Sequence, residues 1–437
     1  MTINRFFSTA ALSLVLLAGC AERDVILPGE RVDLREGMVG APEAAVNETR
    51  PLRLPEATTN ADWTHRNGGP THVAGHPALG SALQLAFQVN VGEGNSRRAR
   101  ITADPVVAGG VVYTLDSRAT VTATGTNGAA LWSRDVTPGY DSTSSASGGG
   151  IAFAGGTLFV ATGFGELTAL DAQTGAELWT QNLDAPGGSA PTVRDGLVYL
   201  VARDSRAWAI EADTGRIRWT IDGAPSASGF SGGAGVAVTD ELAYFPFPSS
   251  EVLAAFPRGG LRRWSSVVTG QRLGSAASTV SDIAADPVVV GNRLYVGNSS
   301  GRVVAMEAAT GDRLWTATEG AVGPVWPAGD SLFFVNDRNE LVRMDSGDGS
   351  VVWRVQMPTF EEGRERRQKT LYAHFGPIIA GGRVIVASSD GALRQFDPAS
   401  GALIGQVEIP GGAASNPVVA GQVLYLLNTR GQLLAFR

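Results

Sequence analysis

The chain is poor in cysteine, in histidine and in charge. Its 437 residues include one cysteine, Cys20, four histidines and 18% charged residues. A disulfide within the chain is excluded, because it would need two cysteines. The net charge of −7 argues against a nucleic acid partner, which normally requires a basic surface. Helical periodicity is not sustained anywhere after the N-terminus, so the composition does not favour an α-helical fold.

Residue patterns that would indicate a reaction centre are also missing. His72 and His76 have the i, i+4 spacing of a helical metal pair, but Pro70, Gly75 and Pro77 disfavour a helix there. A polar cap segment is the alternative that these residues favour. The glycine-rich stretches at 148–150 and 232–233 do not precede a helix with a Lys-Ser/Thr pair, so neither predicts a phosphate loop. We therefore predict no catalytic, cofactor-binding or metal-binding residues.

The chain does contain a repeated signature, in which a glycine is followed four places later by tryptophan. The copies recur roughly every 40–50 residues, a spacing typical of repeat folds. They are Gly128/Trp132, Gly175/Trp179, Gly215/Trp219, Gly260/Trp264, Gly311/Trp315 and Gly349/Trp353, and a seventh, Gly401, has Gly405 at the tryptophan position. We expect most of these tryptophans to be structural and to wedge neighbouring repeats together.

Each repeat contains four short runs of β-branched and aromatic residues bounded by turn residues, which predicts four antiparallel strands. Four such strands make one propeller blade. Eight blade openings are present, near Pro105, Ile151, Pro191, Val236, Pro287, Pro324, Pro377 and Pro417. The eighth unit lacks an outer strand. Residues 83–89, with Phe87 where the tryptophan should be, can supply it and close the ring. We predict an all-β fold, an eight-bladed β-propeller closed by an N-terminal strand.

The N-terminus predicts export and lipidation. Arg5 precedes an apolar run from Ala10 to Ala18, which is typical of a signal peptide and too short to span a membrane stably. The run ends at Leu17-Ala18-Gly19-Cys20, which resembles a bacterial lipoprotein signal cleaved before Cys20. Acylation there would anchor the protein. Bacterial lipoproteins that this signal resembles carry Asp after the cysteine when they stay at the inner membrane, so the resemblance implies that Ala21 favours sorting to the outer membrane.

The predicted domain boundaries follow from these features. Residues 1–19 form the signal peptide, 20–60 a flexible lipidated tether and 61–437 the propeller. The tether contains scattered prolines and charges without the blade pattern. About 40 flexible residues would span roughly 35 Å, which would let the propeller reach past the lipid surface to another protein.

The repeat at 169–179, Ala-Leu-Asp-Ala-Gln-Thr-Gly-Ala-Glu-Leu-Trp, resembles that of pyrroloquinoline-quinone (PQQ) propellers. Two branches share this repeat: quinoprotein dehydrogenases, and the BamB family of lipoproteins from the outer-membrane β-barrel assembly (BAM) machinery. Eight repeats, a lipobox and the stretch from Ser281 to Val289 are similar to the BamB family. The dehydrogenase branch carries adjacent cysteines and a calcium site, whereas Cys20 stands alone in this chain.

The BamB resemblance implies a non-enzymatic scaffold without cofactors on the periplasmic face of the outer membrane. It implies binding to the POTRA domains of BamA, contact with other BAM subunits and possible contact with unfolded outer-membrane proteins. A PQQ-dependent dehydrogenase and a periplasmic propeller that binds a ligand or glycan in its central channel are the alternatives.

The same resemblance implies docking through the loops that enter blades four and five, at residues 222–233 and 272–286. Asp282 falls where the family has an interface acid, and we expect it to be exposed. Ser228 stands in a segment that carries leucine and arginine in the family, and Phe230 could supply an apolar anchor or pack under its own loop. The charged loop 361–369 and the arginines at 97, 98 and 100 are either solvated or contact an acidic partner or lipid headgroups.

Overall fold

A computed structural model describes residues 47–187, 189–226, 232–270, 272, 280, 282–363 and 368–437. The compact unit spans Ala45–Arg437 and contains eight four-stranded antiparallel sheets arranged as successive blades. The eight-bladed propeller predicted from the repeat is therefore confirmed. No helix in the described ranges is long and apolar enough to cross a membrane.

The first four blades use consecutive strands, running from the central channel outwards. Blade one contains β2 Val106–Ala108, β3 Val111–Leu115, β4 Thr120–Gly125 and β5 Ala130–Asp135. Blade two contains β6 Gly149–Ala154, β7 Thr157–Thr162, β8 Glu166–Asp171 and β9 Glu177–Asn182. Blade three contains β10 Thr192–Arg194, β11 Leu197–Val201, β12 Arg206–Glu211 and β13 Ile217–Asp222. Blade four contains β14 Ala237–Val238, β15 Ala243–Pro246, β16 Glu251–Ala255 and β17 Arg262–Val267.

The other four blades follow the same plan, except that the last takes its outer strand from the N-terminal side. Blade five contains β18 Val288–Val290, β19 Arg293–Asn298, β20 Arg302–Glu307 and β21 Arg313–Ala317. Blade six contains β22 Trp326–Ala328, β23 Ser331–Val335, β24 Glu340–Asp345 and β25 Val351–Gln356. Blade seven contains β26 His374–Ala380, β27 Arg383–Ser388, β28 Ala392–Phe396 and β29 Leu403–Glu408. Blade eight contains β30 Val418–Ala420, β31 Val423–Leu427, β32 Gln432–Phe436 and β1 Leu85–Asn90.

The ring is closed by the pairing of β1 with β32, which confirms the predicted strand donation. Phe87 lies opposite Ala435 and Val89 opposite Leu433, in antiparallel register. Phe87 occupies the tryptophan position of its blade, as expected, and its ring lies 6.5 Å from that of Tyr425. The closing strand removes the free edge that β32 would otherwise expose.

The repeated glycine and tryptophan join neighbouring blades. The indole nitrogen of Trp179 in blade two donates a hydrogen bond of 3.0 Å to the carbonyl of Ala212 in blade three. A Cβ on Gly215 would lie 2.7 Å from that indole ring, so only glycine lets the ring approach the turn. Gly215 also has φ +71°, a conformation that glycine adopts without steric cost. Equivalent indole-to-carbonyl bonds are made by Trp132, Trp219, Trp264, Trp315 and Trp353.

The same geometry explains why the seventh copy has Gly405 in place of tryptophan. A tryptophan packs on the hairpin between the third and fourth strands of the next blade. In blade eight those strands are β32 and β1, which no hairpin joins. The side chain of Gln395 from the same blade lies 3.2 Å from where a Cβ of Gly405 would be.

The predicted tether boundary at residue 60 requires a correction. The amide of Glu48 donates a 3.0 Å hydrogen bond to Val352 on the outer strand of blade six. Arg50 forms a 2.8 Å ion pair with Asp345, and the buried Arg343 donates to the carbonyl of Arg50. Residues 47–60 therefore belong to the packed unit. Nothing in the sequence indicates this, because these residues contact strand edges and side chains that only the folded blades present.

Candidate docking face

All the long connections between blades lie at one end of the ring. In an antiparallel four-stranded blade, the loop to the next blade and the turn between the second and third strands share one end. The longest such loops in this chain are residues 223–236, 268–287 and 357–373, together with 91–105, which leads from β1 into blade one. We call this end the loop face, and the opposite end, with the short turns, the turn face. The predicted docking loops thus lie on one face.

The turn face is covered by the chain itself. Residues 58–80, here called the cap segment, follow the inner strands of the ring, whose channel-facing edges have unpaired backbone groups. Trp63 exchanges two backbone hydrogen bonds with Val107 of blade one, at 2.7 and 2.9 Å. Carbonyls of the cap segment accept from inner-strand or adjoining amides of five more blades, at Phe153, Val238, Val289, Gly381 and Gly421. This end of the channel is therefore bridged by the protein's own backbone.

The histidines of the cap segment join it to the ring through hydrogen bonds. His65 and His76 accept hydrogen bonds through Nε2 from the amides of Val193 and Gly382, at 3.0 and 2.8 Å. Burial, reinforced by the charge of His72, lowers the pKa of His65 to about 4, which keeps the ring neutral and able to accept. These contacts match the cap-segment alternative. Within the described ranges, no three His, Cys, Asp or Glu side chains are grouped so that they could hold a metal ion.

Arg66 of the cap segment reaches two buried carboxylates on opposite sides of the ring. Its Nε lies 3.0 Å from Asp286, which precedes blade five, and 3.7 Å from Asp104, which precedes blade one. Asn67 donates to Asp286 at 2.6 Å, and Asn416 donates to Asp104 at 2.8 and 2.9 Å. Burial would lower the pKa of Arg66, but Asp286 and Asp104 raise it, so the guanidinium stays charged.

The sequence reasoning missed this ion cluster, although a signal was present. Blades one and five open with the same Asp-Pro-Val-Val run, at 104–107 and 286–289, and blade eight opens with Asn-Pro-Val-Val at 416–419. A polar residue before each proline marks the position that faces the channel. Its partner, Arg66, lies in a segment without any repeat, so the pairing could be found only from the tertiary structure.

Arg272, in the loop that enters blade five, is held by contacts with blades five and six. This side chain makes two hydrogen bonds to the carboxylate of Asp337, at 2.7 and 2.8 Å, and lies 3.3 Å from Glu319. The Arg272 amide also donates to Ser300 at 2.8 Å. Burial opposes the charge on Asp337, but the hydrogen bonds and charge of Arg272 outweigh it, so the pKa of Asp337 is lowered. A bidentate arginine–carboxylate pair of this kind fixes the relative orientation of the two side chains as well as their distance.

The expectation that Asp282 is exposed is wrong. Its residue is only 4% exposed, and its carbonyl accepts a 3.0 Å hydrogen bond from the amide of Ser299 in blade five. A residue this buried does not present its carboxylate at the surface, as an interface acid would. Ser228 and Phe230, the other two candidate residues, lie outside the described residues, as does Cys20.

The charged loop between blades six and seven begins and ends as a short hairpin. The amide of Glu361 donates to Thr370 at 3.1 Å, and that of Tyr372 donates to Thr359 at 3.0 Å. Phe360 and Leu371 face each other across this hairpin and are 40% and 54% exposed. Residues 364–367 of the charged run are not among those described. The hairpin therefore adds exposed apolar side chains to the loop face. The sequence analysis had considered only the charge of this loop.

Comparisons with known proteins give a consistent relationship. Residues 117–355 match the family model described as outer membrane protein assembly factor BamB. The protein of that name from Shewanella oneidensis is 24% identical over 368 residues, which cover 80% of this chain and 88% of the relative. The one from Bordetella pertussis is 24% identical over 365 residues, which cover 82% and 88%.

A solved structure, that of BamB from Moraxella catarrhalis, superposes with a TM-score of 0.68 at 16% identity, covering 82% of this chain and all of that one. A europium-containing methanol dehydrogenase superposes with a TM-score of 0.65 at 14% identity, covering 86% and 98%. At these identities the two superpositions show the propeller fold alone.

Proposed function

Because this chain belongs to the BamB family of outer membrane protein assembly factors, we propose that it is a non-enzymatic scaffold subunit of that assembly machinery. In this role it binds the POTRA domains of BamA and aids the folding and insertion of β-barrel proteins into the outer membrane. The observation that carries the proposal is the difference between the two ends of the ring. The turn face is covered by the cap segment, whereas the loop face presents every long connection of the propeller.

The dehydrogenase alternative has support only from the fold that those enzymes share with this chain. Near the axis of the channel, Arg66 and Asn67 already engage the carboxylates of Asp286 and Asp104. A channel ligand would have to displace these contacts before it could reach either acid. The described geometry therefore favours a surface function, in which rigid blades present loops to a partner.

For docking we propose the loops that enter blades four and five, with different residues from those the family pattern implied. Asp282 is buried, whereas Ala224 and Thr269 are exposed near the starts of the two loops. The Arg272–Asp337 pair holds the second loop against blade six. At Arg272 the position of the second loop is therefore set before contact, which lowers the entropy cost of binding there.

Ala224→Arg and Thr269→Arg are each expected to weaken the capture of purified BamA POTRA domains about tenfold or more. A long charged side chain at an interface centre must be desolvated and displaces neighbouring contacts, which can cost about 2 kcal/mol. Binding is measured by pull-down and by surface plasmon resonance, with circular dichroism to confirm folding. Phe230→Ala is expected to act in the same direction if its ring fills a partner pocket.

The matched control is Ala129→Arg, an identical change at an exposed position on the turn face of blade one. It is expected to leave capture within about twofold of the unchanged protein, since its side chain points into solvent. Equal losses from Ala129→Arg and Ala224→Arg, or full binding by both loop variants, would show that these loops are not the docking surface.

We also propose that Cys20 is acylated and holds the protein on the periplasmic face of the outer membrane. The support is the Leu-Ala-Gly-Cys run after the apolar segment, together with the outer-membrane role of the family. Several acyl chains together give stable anchoring, whereas a single chain gives marginal binding.

Cys20→Ser is expected to abolish incorporation of a labelled fatty acid and to move the protein out of the membrane fraction. The hydroxyl of serine does not replace the thiol as the acyl acceptor of a lipoprotein signal. Labelling in cells followed by membrane fractionation makes the measurement, with Ser8→Ala in the same leader as the control. Undiminished label on the Cys20→Ser protein would place the anchor elsewhere.

A further inference from the structure

A cluster of arginines lies on the loop face where blade eight meets blade one. Arg97, Arg98 and Arg100 are exposed on the loop between β1 and β2, and Arg430 is exposed on the adjoining turn of blade eight. Arg118, on the turn of blade one, is half-buried. None of the five side chains forms a salt bridge with another described residue. We call these five residues the arginine patch.

The loop that carries the patch is tied down on both sides. The Asn95 amide donates to Thr429 of blade eight at 2.7 Å, and the Ser117 hydroxyl of blade one donates to Gly94 at 2.6 Å. Within the loop, the amide of Ser96 donates to the carbonyl of Ala99 at 2.7 Å. The backbone that presents these arginines is therefore ordered before any partner arrives, which removes part of the cost of binding.

The arginines of the patch outnumber the acids of the elements that carry them. The carboxylate of Asp116 accepts hydrogen bonds from the backbone amides of Glu93, Arg118 and Thr120, at 2.7 to 2.8 Å, and forms no ion pair with these arginines. Glu93 is the one other acid among residues 91–100, which are all described, and it is exposed. The patch thus carries an excess of positive charge in a chain whose net charge is −7. A local field opposite to that of the whole molecule favours a partner of complementary charge.

The arginines of the patch are suited to binding an oxyanion. The planar guanidinium of arginine matches a carboxylate or a phosphate with two parallel hydrogen bonds, which the compact ammonium of lysine does not. No large apolar side chain is exposed in residues 91–105, so this loop has nothing to insert at the boundary between lipid headgroups and acyl chains. That observation favours a polypeptide carboxylate over a lipid phosphate as the anion.

We propose that the arginine patch binds an acidic polypeptide segment of a periplasmic partner through paired guanidinium–carboxylate contacts. It lies across the ring from the loops of blades four and five, on the same face. A partner that covers the loop face therefore meets a second, charge-selective contact there. The patch requires neither those loops nor a particular subunit, so its test is independent of the proposed docking.

The test measures binding of a fluorescein-labelled deca-glutamate peptide to the full chain in detergent. Fluorescence anisotropy reports the binding at about 50 mM salt, where the Debye length exceeds about 10 Å. The combined Arg97→Gln, Arg98→Gln and Arg100→Gln variant is expected to bind at least tenfold more weakly. A variant with lysine at the same three positions keeps the charge and loses the planar guanidinium. Its affinity for the peptide is expected to lie between those of the unchanged protein and the glutamine variant.

The matched control removes the same charge elsewhere, by changing Arg53, Arg216 and Arg263 to glutamine. These three are exposed, lie away from the loop face and form no salt bridge with another described residue. Peptide binding within twofold of the unchanged protein is expected. The proposal is overturned if the patch variant binds normally or if the control loses as much affinity. It is also overturned if the patch variant loses binding to phosphatidylglycerol vesicles while it retains the peptide.

Discussion

Removing residues 21–91 is expected to destabilise the propeller severely, because this deletion takes away the strand that closes the ring. The strand β1, at Leu85–Asn90, is the outer strand of blade eight, and Phe87 packs on Gly128 of blade one. Loss of the apolar burial of Phe87, Val89 and the buried Val91 costs about 3–6 kcal/mol, before any cost of the lost ladder with β32. The exposed β32 edge also becomes a site for pairing with other chains.

Two shorter deletions separate the contribution of the strand from those of the other segments. Deleting residues 21–46 removes none of the described contacts and is expected to leave the melting temperature unchanged. Deleting residues 21–83 removes the cap segment and keeps β1, so an intermediate melting temperature is expected. Thermal melts and size-exclusion chromatography report stability and aggregation. Equal melting temperatures for the 21–83 and 21–91 deletions would mean that β1 does not stabilise the ring.

Arg66→Met is expected to lower the free energy of unfolding by about 3–5 kcal/mol, because it leaves two buried carboxylates without their counter-ion. The side chains of Asp286 and Asp104 are 1% and 7% exposed, so water cannot replace the guanidinium. The effect should appear in urea unfolding as a lower midpoint. Adding Asp104→Asn and Asp286→Asn to Arg66→Met is expected to recover most of the loss, since neutral amides avoid the uncompensated charge.

The comparison variant is Arg134→Met, the same change in an exposed ion pair. Arg134 lies 3.1 Å from Glu177, and the two side chains are 41% and 46% exposed. Exposed pairs of this kind contribute about 0–1 kcal/mol, so a small effect is expected. Similar urea midpoints for Arg66→Met and Arg134→Met would show that the channel ion cluster does not stabilise the propeller.

Much of the fold could be predicted from the sequence, because the residues that form the strands and turns of most blades follow one another along the chain. The Gly-to-Trp spacing marks a hairpin and the strand after it, as at Gly175/Trp179. The aromatic Phe87 marks a strand of the same kind outside the counted repeats. Even the irregular fourth blade, with Pro246 in β15, keeps the four-stranded plan.

The candidate site could be predicted only in part. The sequence placed the loops proposed for docking at the entries to blades four and five, since loop positions follow from the repeat. The burial of Asp282 did not follow, because whether an acid in a loop is buried depends on the tertiary neighbours that the loop meets. The ion pairs of Arg272 with Asp337 and of Arg66 with Asp286 were also missed, since the partners are distant in sequence.

The sequence by itself determined the blade, the number of blades and the strand that closes the ring. The blade depends on contacts between neighbouring strands and the number of blades on a repeated motif. The closing strand was found because the eighth unit lacks an outer strand and residues 83–89 are a strand pattern without a blade of their own. Only the tertiary structure decided that residues 47–60 pack on blades six to eight, that the cap segment covers one end of the channel and that the arginine patch forms at the closure. Each of these depends on backbone edges or loop neighbours that do not exist until the ring has closed, because closure joins strands from the two ends of the propeller unit.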